Sequence, residues 1–337
     1  MSRFTHHGGD LAAARVAYPD AASPWIDLST GINPRPYPLP PISPEAWAAL
    51  PDAGAERALE AAAAGAYGAR PGSVVVAPGT GALIAGLARL HGAGRVGVLG
   101  QTYGDHARAW RSAGAAVDVV ADVPDLAGRD VAVVVNPNNP DGRLVPPDAL
   151  AALAGRVGLM VVDEAFADVV PPAWSLAPSP PPNAVVLRSF GKFFGLAGLR
   201  LGFAVAAAPW ADRLRDALGP WPVGGPALAI GTAALGDAAW AAATRARLAG
   251  DAARLDALLR SHGALPCGGT DLFRLVEVGD AAGWFDGLAN AGILTRPFAQ
   301  QPGRLRFGIP ADEIAWRRLD DALGRTVPDR TAGPPRA

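Results

Sequence analysis

The stretch RSFGKFFGLAGLRLG, residues 188–202, contains Lys192, the only lysine of the chain. Arginine can replace lysine wherever a surface charge is enough, but it cannot supply a neutral, nucleophilic amine. The four glycines of the stretch leave room for the backbone to approach a ligand. The stretch therefore predicts a reactive amine in a glycine-rich turn that follows a strand.

Composition and charge indicate a globular protein with small ligands. Half of the 337 residues are apolar, 18% are charged, and the formal net charge is -1. A near-neutral chain offers no electrostatic reason to bind nucleic acid or an anionic membrane surface, so we expect neither as a partner. The single cysteine, Cys267, excludes an intrachain disulfide and favours a reducing compartment. The first ten residues lack the apolar core of a signal peptide, and the predicted location is the cytoplasm.

Short β-branched runs alternate with helical segments from residue 73 onward. This alternation predicts an α/β fold with a mostly parallel central sheet covered by helices. The predicted strands are Ser73–Ala77, Arg95–Leu99, Ala116–Val120, Val131–Val135, Leu159–Val162, Ala184–Leu187 and Leu201–Val205. A long helical region, from Pro226 to about Ser261, then precedes the strands of a smaller α+β unit, at Leu272–Val278, Gly292–Thr295 and Leu305–Ile309.

These segments divide the chain into four predicted parts. Residues 1–40 have little periodicity and are expected to form an extended N-terminal arm that joins the small domain. Residues 41–235 form the large ligand-binding domain, and residues 236–327 form the small C-terminal domain. Residues 328–337 are predicted to be a flexible tail.

Three motifs follow predicted strands, where sheets of this kind bind ligands. Asp163, in VVDEAF, puts a carboxylate at the end of an apolar strand, where it needs a cationic partner. The APGTGAL segment, residues 77–83, lies between a strand and a helix, so its backbone amides converge on an anion site. The NPNNPDG segment, residues 136–142, is a common turn sequence and is weak evidence by itself.

In order and spacing, these motifs resemble the class I/II aminotransferase superfamily, the fold-type I pyridoxal-phosphate enzymes. The resemblance covers nearly the whole chain. It implies that pyridoxal 5'-phosphate is the cofactor, that Lys192 binds it as a Schiff base, and that Asp163 pairs with the pyridine nitrogen. Lys192 and Asp163 are the catalytic residues that it implies. The implied cofactor-binding residues are Gly79, Thr80, Gly81, Tyr103, Asn139, Asp163, Phe166, Ser189, Lys192 and Arg200.

The resemblance also implies a role for each remaining cofactor residue. Ser189, Arg200 and the 79–81 loop hold the cofactor phosphate, and Asn139 donates to the phenolic oxygen. Tyr103 stacks on the ring, although a core tyrosine is a rival interpretation. Phe166 stands where many relatives carry a tyrosine that donates to the same oxygen. We therefore expect the proton of the cofactor–lysine linkage to be held more tightly here than in those relatives.

The substrate end of the site is predicted from three other segments. In GRLRFGI, residues 303–309, Arg306 matches the family's arginine that grips a substrate carboxylate. The segments HHGGD, residues 6–10, and WIDLSTGINP, residues 25–34, resemble the openings of the threonine-phosphate decarboxylases of cobalamin synthesis. Adjacent His6 and His7 diverge, so no metal site is expected. The implied substrate-binding residues are His7, Gly8, Ser29, Gly31, Asn33, Arg296 and Arg306.

The reaction that this resemblance implies is decarboxylation of L-threonine O-3-phosphate, a small phosphorylated amino acid, to (R)-1-aminopropan-2-yl phosphate. Two alternatives stay open. A histidinol-phosphate-type aminotransferase would use the same cofactor residues, and a cofactor-binding regulator would use them without turnover. The family also implies a homodimer, although Leu50 stands where relatives often carry a tyrosine that crosses the dimer interface.

Overall fold

The computed structural model describes Phe4 and residues 7–326. The predicted flexible tail, 328–337, lies outside these residues, as does His6. The chain forms two compact units. We call Arg35–Arg247 the sheet unit, and we call Met1–Pro34 together with Leu248–Ala337 the terminal unit.

The helices and strands are numbered along the chain. The strands are β1 (Ile26–Asp27), β2 (Val74–Ala77), β3 (Arg95–Leu99), β4 (Ala116–Val120), β5 (Val131–Val135), β6 (Leu159–Asp163), β7 (Ala184–Ser189), β8 (Gly202–Ala206), β9 (Leu265–Thr270), β10 (Phe273–Glu277), β11 (Ile293–Leu294), β12 (Arg296–Pro297) and β13 (Arg304–Gly308). The α-helices are α1 (Leu11–Ala17), α2 (Pro44–Ala48), α3 (Ala53–Tyr67), α4 (Thr80–His91), α5 (Gly104–Ser112), α6 (Pro147–Ala154), α7 (Phe190–Phe193), α8 (Ala208–Leu218), α9 (Gly225–Gly236), α10 (Ala238–Ser261), α11 (Ala281–Asn290) and α12 (Glu313–Thr326).

The sheet unit is built on a seven-stranded sheet in the order β2-β8-β7-β6-β5-β3-β4. Strand β8 runs antiparallel to both of its neighbours, and the other pairs are parallel. Every residue of β2, β5, β6, β7 and β8 is buried, as expected of strands covered on both faces. The predicted α/β class with a mostly parallel sheet is confirmed.

This topology brings several strand ends to one edge of the sheet. Because β8 is antiparallel to β2 and to β7, those two strands and β3, β5 and β6 all point the same way. Their carboxyl ends lie at one edge, and β8 begins there. Ligands bind at this edge in open α/β sheets, so residues that follow these strands are the ones to examine.

The terminal unit contains two smaller sheets. Strand β1 pairs in parallel with β11, and a four-stranded antiparallel sheet has the order β12-β13-β10-β9. Helix α11 is amphipathic and buries Trp284, Phe285 and Leu288, and helix α12 buries Trp316 and Leu319. This arrangement is the smaller α+β unit that the sequence predicts.

The structure departs from the sequence prediction in three places. The predicted arm, 1–40, is not uniformly extended, because α1 forms after the capping residue Asp10, whose side chain accepts a hydrogen bond from the amide of Ala13. The long helical region after Pro226 is two helices, α9 and α10, with a break at Asp237. Strand β9 was not predicted, because its proline and glycines depart from the usual strand composition.

No single helix of the described residues is long and apolar enough to cross a membrane. Helices α9 and α10 meet the length and composition test only when taken together, and they are bent by 75° at their break.

Candidate active site

The predicted cofactor residues all lie in the sheet unit, at or beside the edge where the five strands end. Gly79 follows β2, Tyr103 follows β3, Asn139 follows β5, Asp163 ends β6 and Ser189 ends β7. Sequence positions more than one hundred residues apart thus meet at one edge because the strands that precede them are neighbours in the sheet.

The loop between β2 and α4 forms a close-fitting backbone site. Gly79 has a φ of +83°, which favours glycine, and the α4 amides that begin at Thr80 follow it. The guanidinium of Arg200 lies against Gly79, since a methyl group there would be 2.9 Å from Arg200 Nη2. A methyl group at Gly202 would lie 2.7 Å from the Thr80 nitrogen. The helix N-terminus and the guanidinium of Arg200 together suit an anion.

Asp163 is buried, with 3% of its surface exposed, and each carboxylate oxygen has a donor. Oδ1 accepts from the Ala165 amide at 3.0 Å, and Oδ2 lies 2.8 Å from Nε2 of His106. His106 is fully buried in the first turn of α5. A carboxylate fixed at both oxygens can offer a steady negative charge to a cationic partner.

Tyr103 precedes α5 and is half-buried. Its hydroxyl donates to Asp105 Oδ2 at 2.6 Å, and its ring makes an edge contact with the His106 ring at 6.1 Å. Burial, and then the hydrogen bond and charge of Asp105, raise the pKa of the Tyr103 hydroxyl above its usual value. The ring is therefore held beside the Asp163–His106 pair by a hydroxyl that remains a donor.

The turn after β5 is tied to the loop after β3 through Asn138, the residue before the predicted Asn139. The Asn138 side chain donates to the backbone oxygen of Gln101 at 3.0 Å and accepts from the hydroxyl of Thr102 at 2.6 Å. Asn138 is buried, whereas Asn139 is only partly buried. Asn138 therefore anchors the turn that presents Asn139.

Lys192 lies in the short helix α7, directly after Ser189 and β7. Its Nζ is 5.9 Å from the centroid of the Phe166 ring. Ser189 is 9% exposed, and Phe166 is 4% exposed. The sole lysine therefore stands against an aromatic face at the same edge as Asp163.

The predicted substrate residues lie in the terminal unit, and several are close together there. Ser29 is buried, and its amide and hydroxyl both donate to Asp27 Oδ1, at 2.8 and 2.5 Å. The Gly9 amide donates to the Ser29 hydroxyl at 2.7 Å. A methyl group at Gly8 would lie 2.3 Å from the Ser29 carbonyl oxygen, so only glycine permits this approach. The HHGGD segment is thereby packed on the segment that contains Ser29.

Two arginines of this set stand opposite each other on neighbouring strands. Arg296 of β12 pairs in register with Arg306 of β13. Arg306 is 4% exposed and donates to the Ser29 carbonyl at 2.8 Å, and its guanidinium lies 4.8 Å from the Phe273 ring centroid. Burial first, and then the charge of Arg296, lower the pKa of Arg306 to about 9, while Asp27 acts in the opposite direction. Such a pair is suited to bind anionic groups.

The other predicted substrate residues of the terminal unit are placed as follows. His7 is exposed and precedes Gly8, whereas Gly31 and Asn33 are buried. Arg304, two residues before Arg306, is half-exposed and lies 3.5 Å from Glu277. The structure thus distinguishes the buried Arg306 from the half-exposed Arg304. No group of three or more His, Cys, Asp or Glu side chains in the described part of the chain could hold a metal ion.

Sequence reasoning missed two residues of these clusters, His106 and Asp27. Each has a signal in hindsight. His106 is three residues after Tyr103, a spacing that puts both on one face of a helical first turn. Asp27 is two residues before Ser29, the spacing of a side chain that accepts from a following amide.

The comparisons with known proteins place the chain in one family. The model of the family "Aminotransferase class I and II" matches residues 27–314. A threonine-phosphate decarboxylase of Pseudomonas aeruginosa is 47% identical over 324 residues, which are 94% of this chain and 96% of the relative. One of Sinorhizobium sp. is 46% identical over 335 residues, which are 96% of this chain and 99% of the relative.

Aminotransferases match less of the sequence but share the fold. A histidinol-phosphate aminotransferase of Mycobacterium bovis is 40% identical over 184 residues, 52% of this chain and 49% of the relative. The crystal structure of histidinol-phosphate aminotransferase from Sinorhizobium meliloti in complex with pyridoxal-5'-phosphate superposes with a TM-score of 0.77 at 21% identity, covering 95% of this chain and 94% of that one. The chain belongs to the class I and II aminotransferase family and, within it, to the group of the threonine-phosphate decarboxylases.

Proposed function

We propose that the protein removes the carboxylate of L-threonine O-3-phosphate as carbon dioxide, using pyridoxal 5'-phosphate, and forms (R)-1-aminopropan-2-yl phosphate. The observation that carries the proposal is the register of Arg296 opposite Arg306, with Arg306 buried. The near full-length likeness to threonine-phosphate decarboxylases supports it.

Two adjacent guanidinium groups repel each other, so the site favours a ligand with more than one negative group. Threonine phosphate carries a carboxylate and a phosphate. Histidinol phosphate carries a phosphate and no carboxylate. We assign the carboxylate to Arg306, whose planar fork can bind it through two hydrogen bonds, and the phosphate to Arg296 with Ser29 and the glycine-rich Gly8–Gly9 backbone.

The residues of the sheet unit fit pyridoxal phosphate. A methyl group at Gly79 would meet the Arg200 guanidinium, and a methyl group at Gly202 would meet the Thr80 nitrogen. The narrow backbone site that results at the N-terminus of α4 suits a phosphate. Asp163 would hold the pyridine nitrogen, and Lys192 would bind the aldehyde carbon. Tyr103, Asn139, Phe166 and Ser189 complete the proposed set. When bound, the cofactor supplies an electron sink for the bond that breaks at the α-carbon.

The chain's own residues would then decide which bond breaks and where the proton goes. Arg306 would fix the direction of the substrate carboxylate, and the leaving group is selected by that orientation. Asp163, held in place by His106, would face the pyridine nitrogen of the ring. Lys192 Nζ, held near Phe166, would deliver a proton to the α-carbon once carbon dioxide has left.

The test is an assay of the purified holoprotein with threonine phosphate and no keto acid. The proposal expects carbon dioxide release and a phosphorylated amine in equal amounts. Amine transfer that requires a keto acid and releases no gas would identify an aminotransferase. Cofactor binding without any turnover would identify a binding protein.

We further propose that the product serves cobalamin biosynthesis and that the enzyme acts in the cytoplasm. The likeness to threonine-phosphate decarboxylases supports the first, and the single cysteine, which cannot form an intrachain disulfide, supports the second. Deletion of the gene should make growth dependent on added aminopropanol phosphate wherever cobalamin is made and needed.

We also propose that the chain works as a homodimer. The sheet unit exposes Trp47 at 72% and Leu50 at 69%, and a cavity of about 560 Å³ beside Leu50 is lined by α2, α3 and α9. Large exposed apolar side chains of this kind mark protein interfaces. Sedimentation of the wild type should give a dimer, and Leu50→Arg should weaken it.

A further inference from the structure

A buried ion cluster in the sheet unit has no role in the proposed reaction. Arg188 of β7 donates through Nη1 to Glu164 Oε2 at 3.0 Å and through Nη2 to Asp168 Oδ1. The three residues are 4%, 0% and 8% exposed. Burial alone lowers the pKa of Arg188, but Asp168 and Glu164 outweigh it and raise that pKa above its usual value. Arg188 is therefore a permanent cation between two buried carboxylates.

Each member of the cluster is fixed further. Glu164 accepts from the hydroxyl of Ser175 at 2.5 Å and from the Leu176 amide at 2.6 Å. The Arg188 guanidinium lies 4.3 Å from the centroid of the Tyr67 ring. Because both carboxylates meet the same planar guanidinium, the cluster joins the end of β6, the segment after it and the end of β7 in one geometry.

Arg245 of α10 extends this cluster toward Lys192. Its Nε donates to the backbone oxygen of Asp168 at 2.6 Å, and its guanidinium lies 5.3 Å from the Phe193 ring centroid. Phe193 is the residue directly after Lys192. We call Arg188, Glu164, Asp168 and Arg245 the arginine network.

The network touches the chain beside four proposed cofactor residues. On β6 and the segment after it, Glu164 follows Asp163, and Asp168 is two residues after Phe166. On β7, Arg188 precedes Ser189. Arg245 contacts Phe193, the residue after Lys192. Along a strand, successive side chains point to opposite faces, so Arg188 faces away from the side on which Ser189 lies. The network thus lies behind the cofactor residues and reaches them through the backbone.

We propose that the arginine network is a positioning device that sets the relative placement of Asp163, Phe166, Ser189 and Lys192, and so controls cofactor affinity. The inference rests on the proposed cofactor site. Well-packed apolar residues stabilise a core as well as a buried ion cluster does, or better. Stability alone therefore does not require these charges, whereas a fixed geometry at four backbone positions does benefit from a planar, two-armed connector.

The test compares the cofactor-free proteins. Arg188→Lys keeps the charge and removes the planar fork. The triple variant Arg188→Met, Glu164→Gln, Asp168→Asn removes all three charges and leaves no buried ion without a partner. For each, thermal unfolding of the apoprotein and the dissociation constant of pyridoxal phosphate are measured, together with the absorbance of the bound cofactor against pH.

The expected result separates stability from positioning. Arg188→Lys should lower both the melting temperature and the cofactor affinity, the latter by about 10- to 100-fold, the size of effect seen when groups that orient a binding site's residues are removed. The triple variant should recover most of the melting temperature but not the affinity, and its absorbance should change at a different pH from that of the wild type. Should Arg188→Lys prove insoluble, Asp168→Asn alone carries the same expectation in milder form.

A matched control comes from the Arg274–Asp256 pair of the terminal unit, a two-armed ion pair with bonds of 2.7 and 2.8 Å. Arg274→Met should lower the melting temperature and leave cofactor affinity unchanged. The inference would be overturned if the network variants had a lower melting temperature but the same dissociation constant for pyridoxal phosphate as the wild type. A wild type that binds no pyridoxal phosphate would instead overturn the proposed function.

Discussion

In the sheet unit, carboxylates lie beside their partners: Asp163 Oδ2 is 2.8 Å from Nε2 of His106, and the Arg188 guanidinium contacts Glu164 and Asp168. In the terminal unit, two like charges are neighbours, because Arg296 and Arg306 stand opposite each other in register. In the first arrangement, Arg188 is balanced by two carboxylates within the protein and Asp163 is held by hydrogen bonds, which suits a group that stays bound. The second is costly for the protein and is relieved by an anionic ligand, so it suits a substrate that comes and goes.

The strongest test of the comparison removes the reactive amine. Lys192→Ala should reduce the rate of decarboxylation by more than about 10^4-fold, because it removes both the covalent attachment and the proton donor. Lys192→Arg, which keeps the charge, should be equally inactive. Carbon dioxide release under saturating cofactor measures both. Substantial activity in either variant would show that the amine is not needed.

The arginine pair should show the next largest effect. Truncating one partner of a buried charge interaction costs about 2–5 kcal/mol, so Arg306→Met should lower kcat/KM for threonine phosphate roughly 30- to 4,000-fold. The kcat/KM of Arg306→Lys should fall less, since lysine keeps the positive charge although it lacks the two parallel donors of the guanidinium. Steady-state kinetics on the three proteins provide the measurement.

Inhibition by inorganic phosphate sharpens the assignment of the two arginines. If Arg296 binds the phosphate, Arg296→Met should weaken this inhibition more than Arg306→Met does. The reverse order would exchange their proposed roles.

A substitution at His106 tests the Asp163–His106 contact of the sheet unit. His106→Phe leaves Oδ2 of Asp163 without its donor, and hydrogen bonds to charged groups contribute about 1.5–3 kcal/mol. Cofactor affinity should therefore fall roughly 10- to 150-fold, measured by titration of the apoprotein with pyridoxal phosphate. In His106→Gln, whose side-chain amide can still donate a hydrogen bond, the cofactor affinity should fall less. Equal losses in the two variants would show that packing, not the hydrogen bond, matters.

The pair of arginines in the terminal unit, Arg296 and Arg306, predicts a pH dependence of ligand binding. Burial and the charge of Arg296 lower the pKa of Arg306 to about 9, and a bound anion favours the charged form of the guanidinium. The affinity for an anionic competitive inhibitor should be constant below about pH 9 and should fall by up to about tenfold per pH unit above it. Arg296→Gln removes the repelling charge, so the break should move to higher pH. Inhibition constants measured between pH 7 and 10.5 would show either outcome.

Phe166→Tyr should have the smallest effect. A new hydroxyl near the bound cofactor would add one hydrogen bond of about 0.5–1.5 kcal/mol, so the pH at which the cofactor–lysine absorbance changes should fall by about 0.4 to 1.1 units. Phe166→Leu controls for the loss of the ring that stands 5.9 Å from Lys192 Nζ. An absorbance profile that does not move in the tyrosine variant would contradict the prediction.

The fold was predictable because its strands carry strong local signals. Strands β3, β4 and β5 begin and end where the sequence places them, because glycine, aspartate or asparagine stands within two residues of each end of these β-branched runs. The break at Asp237 was not predictable from periodicity, since both α9 and α10 are rich in alanine and have little amphipathic contrast. Strand β9 forms because β10 pairs with it, not because of its own composition.

The clusters were predictable only where a motif lies in one segment of sequence. Gly79 and Lys192 belong to such motifs. The contact of His106 with Asp163 joins residues 57 positions apart, and the contact of Arg306 with Ser29 joins residues 277 positions apart. Pairs of this kind depend on strand order and register, which no local pattern specifies.

The isolation of Lys192 as the only lysine side chain has a practical consequence for labelling. A reagent that attacks amines meets one lysine side chain besides the α-amino group, and that side chain is only partly exposed beside Phe166. Protection of this amine by an added ligand would therefore report occupancy of a single position, without the background that surface lysines give in most proteins. Because the sequence has one lysine, a lysine introduced on the surface by substitution could be modified and followed individually.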